Sequence, residues 1–416
     1  MPNNNAIQFL EELSYKDKRV LVRLDINSPI DKETHHIVNT DRIEKSISTI
    51  KYLLEQDCKI VLIAHQGDTL DYQNLLSLEE HAKKLTILLG HEVKFINDVC
   101  GPYAVQSIKE MKNGEIILLD NLRYLTEEIS TFENNVALTP SDMKRTWLYR
   151  QLQPLFDIYV NEAFSAAHRN APSLVAFEQS IPTVAGKLFE NEYTNLAHLL
   201  ESEYSNGYFI LGGAKISDAF GMMQEVLKRG KVDKILTGGV LGMVFLEASG
   251  ISIGNTYKQF LSKKGLIGYI KKAEHILEQY KDHIVIPIDV AYCKDGKRTE
   301  INVCEMEEVD ENYLDIGTQT IGLYKKYIQK AKLLFMNGPA GVYEDVIFEK
   351  GTKLINEAVA QSHAYSVLGG GDTISAASKF INLDDINYVS TAGGAMIQFL
   401  SGKQLPVIEA MKHARR

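Results

Sequence analysis

The 416-residue chain has little of several things that would have placed it quickly. Its four cysteines, Cys58, Cys100, Cys293 and Cys304, are scattered and no two stand in CxxC spacing, so neither a zinc site nor a dithiol redox motif is read from them. Reduced cysteines of a cytoplasmic protein are the simpler reading. No apolar run approaches the roughly 20 residues of a membrane-spanning helix. The opening MPNNNAIQFL has no basic start followed by an apolar core, so no secretion signal is expected there. Positive charge is not in excess: 45 Lys and Arg face 54 Asp and Glu, a formal net charge of −9. That balance speaks against a nucleic acid or an anionic membrane as partner, and any anionic substrate must be drawn by a local basic patch. Neither GxxxxGK[ST] nor HExxH occurs, which sets aside a P-loop and that class of zinc protease.

What is present is alternation. In the first half, the β-rich runs RVLVRL (from Arg19), KIVLIA (from Lys59), EIILL (from Glu115) and FDIYV (from Phe156) are separated by stretches such as Asp41–Gln56 and Leu78–Leu89, where apolar residues recur at three- and four-residue spacing. In the second half, strand-like runs start at Tyr208, Lys234, His283, Leu333, Tyr365 and Asn387. Runs this apolar fit parallel strands buried on both faces. The fold class expected is α/β, two Rossmann-like doubly wound parallel-sheet domains joined by a hinge. The crossing is placed near IPTVAGKLFENE, where Pro182 and Gly186 interrupt the pattern.

Ligands of open α/β sheets bind beyond the carboxyl ends of the strands, so the residues following each run are the informative ones. In the first half these are polar and mostly cationic: Arg23, Asp25 and Asn27, then His65, then Asn121 and Arg123, then Asn161, His168 and Arg169, with Arg42 opening the helix after the first strand. Arginine suits bidentate recognition of phosphate or carboxylate, and several at one sheet edge make an anion site; a single one is as readily a solvated surface residue. In the second half the strand ends are glycine-rich: ILGGAK, LTGGVLG, FMNGPAG, LGGGDT and STAGGA. Glycine lets backbone approach a ligand, and a following helix start offers free N–H groups to phosphate. One such turn says little, whereas five in one sheet point to a nucleotide crevice. Asp372 and Thr373 stand where a helix begins, either as its caps or as a carboxylate holding Mg²⁺ against nucleotide phosphates. Glu344 has the position to bond ribose hydroxyls, with Pro339 and Val342 lining an apolar slot. One half then holds an oxyanion and the other a nucleotide, a division that suits phosphoryl transfer. Such transfer needs positioning and charge neutralisation, and the domains must close to bring the reactants in line.

RVLVRLDIN, LLDNLRYLTEE, VNEAFSAAHR, LGGAKISD, LTGGVLGMVFL, FMNGPAGVYE, LGGGDT and STAGGA, in this order, resemble the phosphoglycerate kinase family over nearly the whole chain, and AHQG in place of SHLG looks like its archaeal branch. The resemblance implies an acid-substrate domain over residues 1–184, to which a tail over 405–416 returns, and a nucleotide-binding domain over 185–404. It implies reversible phosphoryl transfer between ATP and the carboxylate of 3-phosphoglycerate, with Mg²⁺, in a cytoplasmic glycolytic enzyme. Its partners are the small molecules ATP/ADP and 3-phosphoglycerate, and it is expected as a monomer, with a homodimer as the alternative. By motif match, Asp25, Asn27, Arg42, His65, Arg123 and Arg169 fall on acid-binding positions. Gly213, Ala214, Lys215, Gly238, Gly239, Asn337, Pro339, Gly341, Val342, Glu344, Gly371, Asp372 and Thr373 fall on nucleotide-binding ones, with Asp372 on the metal. Arg42, Lys215, Gly371 and Gly394 fall on the catalytic positions, with Gly393 and Gly394 starting a helix toward the transferring group.

Two departures from the family pattern stand out. HQGDT places Asp68 where an arginine is commoner, and GGAKISDAF places Ala219 where a second lysine is commoner, four residues after Lys215. A carboxylate facing an anion at about 4 Å costs up to about 4 kcal/mol at a surface-like dielectric. Residues i and i+4 share a helix face, so a lysine at 219 is expected to point with Lys215. The departures leave two alternatives beside an active kinase: a paralogue for another small acid, or a nucleotide-binding protein with weak catalysis.

Overall fold

The structure, a computed structural model, describes residues 6–67, 75–201 and 205–415. It divides into two units, Met1–Thr194 with Gln404–Arg416, and Asn195–Lys403. Strands of the first unit are β1 (Arg19–Arg23), β2 (Lys59–Ile63), β3 (Val93–Ile96), β4 (Ile116–Leu119), β5 (Ile158–Asn161) and β6 (Thr183–Ala185). They pair in the order β3-β4-β2-β1-β5-β6, all parallel. Alternation along the strands divides the core into two layers. Val20, Val22, Ile60 and Leu62 join one cluster, whereas Leu21, Val61, Ile63 and Leu119 join the other. Both faces are therefore covered, which is why these runs carry no polar alternation. Each fully buried branched side chain contributes about 1.5–3 kcal/mol.

The second unit contains β7 (Gly207–Leu211), β8 (Lys234–Thr237), β9 (Ile284–Val285), β10 (Asp289–Lys294), β11 (Lys297–Asn302), β12 (Tyr313–Ile316), β13 (Leu333–Asn337), β14 (Tyr365–Gly369) and β15 (Tyr388–Ser390). Six of them form a parallel sheet in the order β15-β14-β13-β7-β8-β9. Both sheets are doubly wound, and each has a switch point where the chain changes direction of travel across the sheet. In the first unit it lies at β1/β5, and in the second at β7/β13.

The α/β expectation holds, and three details differ. The short edge strands β3 and β6 were not anticipated, because VKFI and TVA are brief and carry Lys94 and Thr183 among their apolar residues. The run from His283 contributes only Ile284–Val285, since a 3₁₀ turn precedes it and Pro287, which has no N–H to donate, follows. The third difference is the antiparallel sheet β11-β10-β12, inserted between β9 and β13. Its outer strand KRTEIN is exposed or half-buried throughout, so it has no apolar run to give it away.

The chain's end returns to the first unit. Helix Pro406–Lys412 buries Val407, Ile408 and Met411, and the Val407 N–H donates to Ala167 O at 3.2 Å. Beyond it, the Arg415 N–H donates to Glu178 O at 2.7 Å and Arg415 O accepts from the Thr183 N–H at 3.3 Å.

Candidate active site

In the first unit the polar residues predicted from the strand ends converge around the β1/β5 switch point. Asp25, buried just past β1, accepts from Arg42 Nη1 at 2.7 Å and from the Ser165 hydroxyl. Burial alone would push its carboxyl up, but Arg42, His65, Ser165 and Arg23 outweigh that and hold it well below the usual carboxylate range. His65 is buried, and its Nδ1 lies 3.0 Å from Arg23 Nη2. Burial and then the cationic neighbours Arg23, Arg123 and Arg169 pull its pKa well below normal, while Asp25 opposes them, so the ring is neutral at pH 7. Arg23 is held from every side: Nε donates to Ser173 Oγ at 3.0 Å, Nη1 donates to Leu24 O, and Ser173 Oγ in turn donates to Glu128 at 2.7 Å.

The loops carrying these groups are fixed by amides. Asn27 Oδ1 accepts from the Gly67 N–H at 3.0 Å. Asn121, fully buried, accepts from the N–H groups of Gln66 and Arg123 and donates to Gln66 O and Leu76 O. Its hydrogen-bonding capacity is thereby used on its own protein, so it orders the turn rather than binding a ligand. Arg123 is also buried, whereas Arg169 is engaged by Glu133: its Nε and Nη2 lie 3.1 and 2.9 Å from Glu133 Oε2. Ser165, Glu128 and Glu133 were not singled out in the sequence. Ser165 sits inside SAAHR, but nothing in the letters marks Glu133, which comes from an otherwise exposed helix, Ser130–Val136. Asp68 lies outside the described residues.

In the second unit the glycine turns are stitched to one another at the β7/β13 switch point. The Gly212 N–H donates to Asn337 O, that of Gly213 to Pro339 O, and that of Gly239 to Ala340 O, at 2.9, 2.8 and 2.8 Å. Gly239 adopts φ 52°, and a Cβ there would stand 2.8 Å from the Gly213 nitrogen. Glycine at 239 is thus demanded by turn-on-turn packing. Gly371 and Gly394 differ: a Cβ on either would meet nothing within 4 Å, so these turns border open space. The buried Thr373 hydroxyl accepts from the Gly338 N–H at 2.7 Å, and Asn337 Nδ2 donates to Gly369 O at 2.7 Å, so both side chains serve the scaffold. GISIG at 250–254 matches GxSxG by letters but joins two helices, Gly239–Ala248 and Gly254–Lys263, and so is no strand-to-helix nucleophile elbow.

Beside these turns opens a slot of about 560 Å³ lined by Gly213, Ala214, Gly239, Pro339, Gly341, Val342, Glu344 and Asp372, all named from the sequence; Gly238 is not in its lining and packs instead against Ala340. Val240 and Tyr343 adjoin these lining residues, and the rest of the wall is Tyr257, Phe260, Asn312, Tyr313 and Leu314. No motif marks these last five, because they come from helix Gly254–Lys263 and from the segment that opens β12 of the inserted antiparallel sheet. Lys215 Nζ lies 3.0 Å from Asp372 Oδ2, with both side chains largely exposed. Asp372 opens helix Gly371–Phe380. Among the described residues no group of three or more His, Cys, Asp or Glu is arranged to hold a metal alone. One exposed carboxylate beside a slot fits Mg²⁺, which commonly takes one or two protein carboxylates and completes its shell with phosphate and water.

Position 219 differs from expectation. Lys215 precedes helix Ile216–Lys228 with non-helical φ/ψ of −85°/59° and stands out into solvent, whereas Ala219 is 1% exposed among Ile216, Phe220 and Met223. The i, i+4 argument fails because Lys215 is not itself helical.

The family model described as phosphoglycerate kinase matches residues 10–403. The chain is 39% identical over 407 residues to the phosphoglycerate kinase of Methanothermus fervidus, covering 98% of this chain and 97% of that protein. It is 38% identical over 406 residues to that of Pyrococcus furiosus, covering 97% of each. The crystal structure of phosphoglycerate kinase from Pyrococcus horikoshii OT3 superposes with a TM-score of 0.85 at 36% identity, over 98% of this chain and 99% of that one. Among the described residues no helix is long and apolar enough to cross a membrane.

Proposed function

The chain belongs to the phosphoglycerate kinase family, and from that premise we infer that it catalyses ATP-dependent phosphorylation of 3-phosphoglycerate and the reverse reaction. Matches of 36–39% identity over nearly the full length of archaeal members favour this over a kinase for another acid or a nucleotide binder with weak catalysis. The observation that carries the assignment of roles is the pairing of Lys215 with Asp372 beside a slot whose turns border open space.

In this reading the acid binds at the β1/β5 switch point, where Arg42, Arg123 and Arg169 offer guanidinium groups to its phosphate and carboxylate. Asp25, kept ionised, aims Arg42, and neutral His65 is available to donate or accept one hydrogen bond without adding charge. Asn27 holds the adjoining turn. ATP lies in the slot of the second unit with its base on the Tyr257, Tyr313 and Val342 side, its ribose near Glu344 and its phosphates toward Gly213, Lys215, Gly371 and Asp372. Asp372 would hold Mg²⁺, which would supply positive charge to offset that of the phosphates. A carboxylate oxygen of the acid attacks the γ-phosphorus, the bond to the β,γ-bridging oxygen breaks, and ADP leaves. Attack by a carboxylate needs no general base and no covalent enzyme intermediate. Lys215 and the N–H groups at Gly371 and Gly394 stabilise the charge on the group in transit. We place the enzyme in the cytoplasm as a monomer.

The test is turnover of purified protein with ATP, Mg²⁺ and 3-phosphoglycerate, followed through ADP release. Turnover is expected. ATP binding by calorimetry without turnover would overturn the reading.

A further inference from the structure

The slot wall contributed by β12 and the 339–344 loop rests on an ion cluster built around a buried carboxylate, outside the residues assigned so far. Asp315, 5% exposed, accepts at Oδ2 from Arg298 Nη1 at 2.8 Å and from the Gly351 N–H at 2.7 Å. Arg298 also donates through Nε to Glu300 at 3.0 Å and through Nη2 to Ile316 O at 2.8 Å. Glu300 accepts from Lys350 Nζ at 3.3 Å and from the Thr318 N–H at 2.9 Å. The cluster thus ties β11 and β12 to the start of helix Lys350–Ala360.

What links it to the slot is glycine. Neither Gly341 nor Gly351 has a positive φ, so conformation does not require glycine at either place. Space does: a Cβ on Gly341 or on Gly351 would collide with Asp315 Oδ1. Gly341 lines the slot, and its neighbour Val342 donates its N–H to Leu314 O at 2.8 Å. The wall loop therefore lies directly on one buried carboxylate, whose position Arg298 sets.

We propose that Asp315, oriented by Arg298 and Glu300, is a positioning residue for the nucleotide: it sets the depth of the slot by seating Gly341 and Val342. The proposal rests on the slot being the nucleotide site. It separates two roles, because an error in the wall weakens ATP and ADP binding while leaving the acid site of the other unit untouched.

The experiment measures ATP and ADP binding by calorimetry and both KM values by initial rates, for the parent, Asp315→Asn, Arg298→Gln, the double variant and Glu300→Gln. Asp315→Asn is expected to weaken nucleotide binding by about tenfold, since misplacing a contact by a fraction of an ångström is felt strongly, with the acid's KM changed by less than about twofold. The double variant is expected to be no weaker than the worse single one, because the pair acts as a unit. If Asp315→Asn does not fold, Glu300→Gln decides, with nucleotide binding about threefold weaker as the expected result. Parent-like nucleotide affinity in the deciding variant, or an equal rise in both KM values, overturns the proposal. A parent that fails to bind ATP overturns the assignment of the slot itself.

Discussion

Lys215 Nζ lies 3.0 Å from Asp372 Oδ2, joining the turn after β7 to the first turn of the helix after β14. An ion pair this exposed contributes little to stability. Its consequence is for ligands, because each partner neutralises the other until a metal and a phosphate arrive to take both. Lys215→Met is expected to lower kcat by about 10²–10³, as removal of a transition-state donor does elsewhere. Asp372→Asn is expected to raise the Mg²⁺ concentration needed for half-maximal rate, and chelation of Mg²⁺ to abolish turnover of the parent. Initial rates across a magnesium titration check all three.

The two kinds of glycine turn give opposite expectations. Gly239→Ala meets both a positive φ and a backbone nitrogen 2.8 Å away, so the second unit should lose about 1–3 kcal/mol or fail to fold. Gly371→Ala adds a methyl to open space, so the urea midpoint should hold while the nucleotide KM or kcat suffers. Equal loss of stability in both variants would contradict the distinction.

Ala219→Lys restores the letters of the commoner motif but not its chemistry. The position is 1% exposed among apolar neighbours, so the ammonium must either be desolvated or strain outward. A lower thermal midpoint with no gain in kcat is expected. A rise in kcat would show that the side chain emerges beside the phosphates after all.

Two buried carboxyls make the first unit sensitive to alkali. Burial pushes Glu162 and Glu178 up to about 8, against hydrogen bonds that act the other way, including Thr49 to Glu162 at 2.6 Å. Their folded values exceed the unfolded value, so the folded state holds extra protons. The stabilisation is complete below about pH 4.5, diminishes above it and is lost as pH rises through about 8. Urea midpoints of the first unit should fall between pH 6 and 9, and Glu178→Gln should flatten that slope.

How far the sequence could be read depended on whether a residue's job is local. RVLVRL and KIVLIA announce buried parallel strands because burial on both faces makes consecutive residues apolar and confines the charges of Arg19, Arg23 and Lys59 to the strand ends. Asp25, Arg42 and His65 were legible because strand ends are where ligands bind. The burial of Ala219 was not legible, because the letters do not tell that Lys215 sits just outside the helix. Tyr257 and Tyr313 were invisible because a helix and an inserted sheet remote from the glycine turns bring them to the slot, and Asp315 because it acts from behind that wall. Asn121 was legible as a polar residue after a strand and Thr373 as a residue beside the nucleotide, but that their side chains engage backbone was not, because the partners are remote in the chain.

The return of residues 404–416 to the first unit has a consequence for how the protein is made. A ribosome delivers the six strands of that unit first, yet the segment that meets Ala167, Glu178 and Thr183 is made only after the whole second unit. The unit begun first is therefore finished last, after every residue of the second unit has been made. Throughout that interval the docking groove for Val407, Ile408 and Met411 stays uncovered on the nascent chain. A chain truncated before residue 404 carries all six strands of its first sheet but lacks Val407, Ile408 and Met411, the side chains that the returning helix buries.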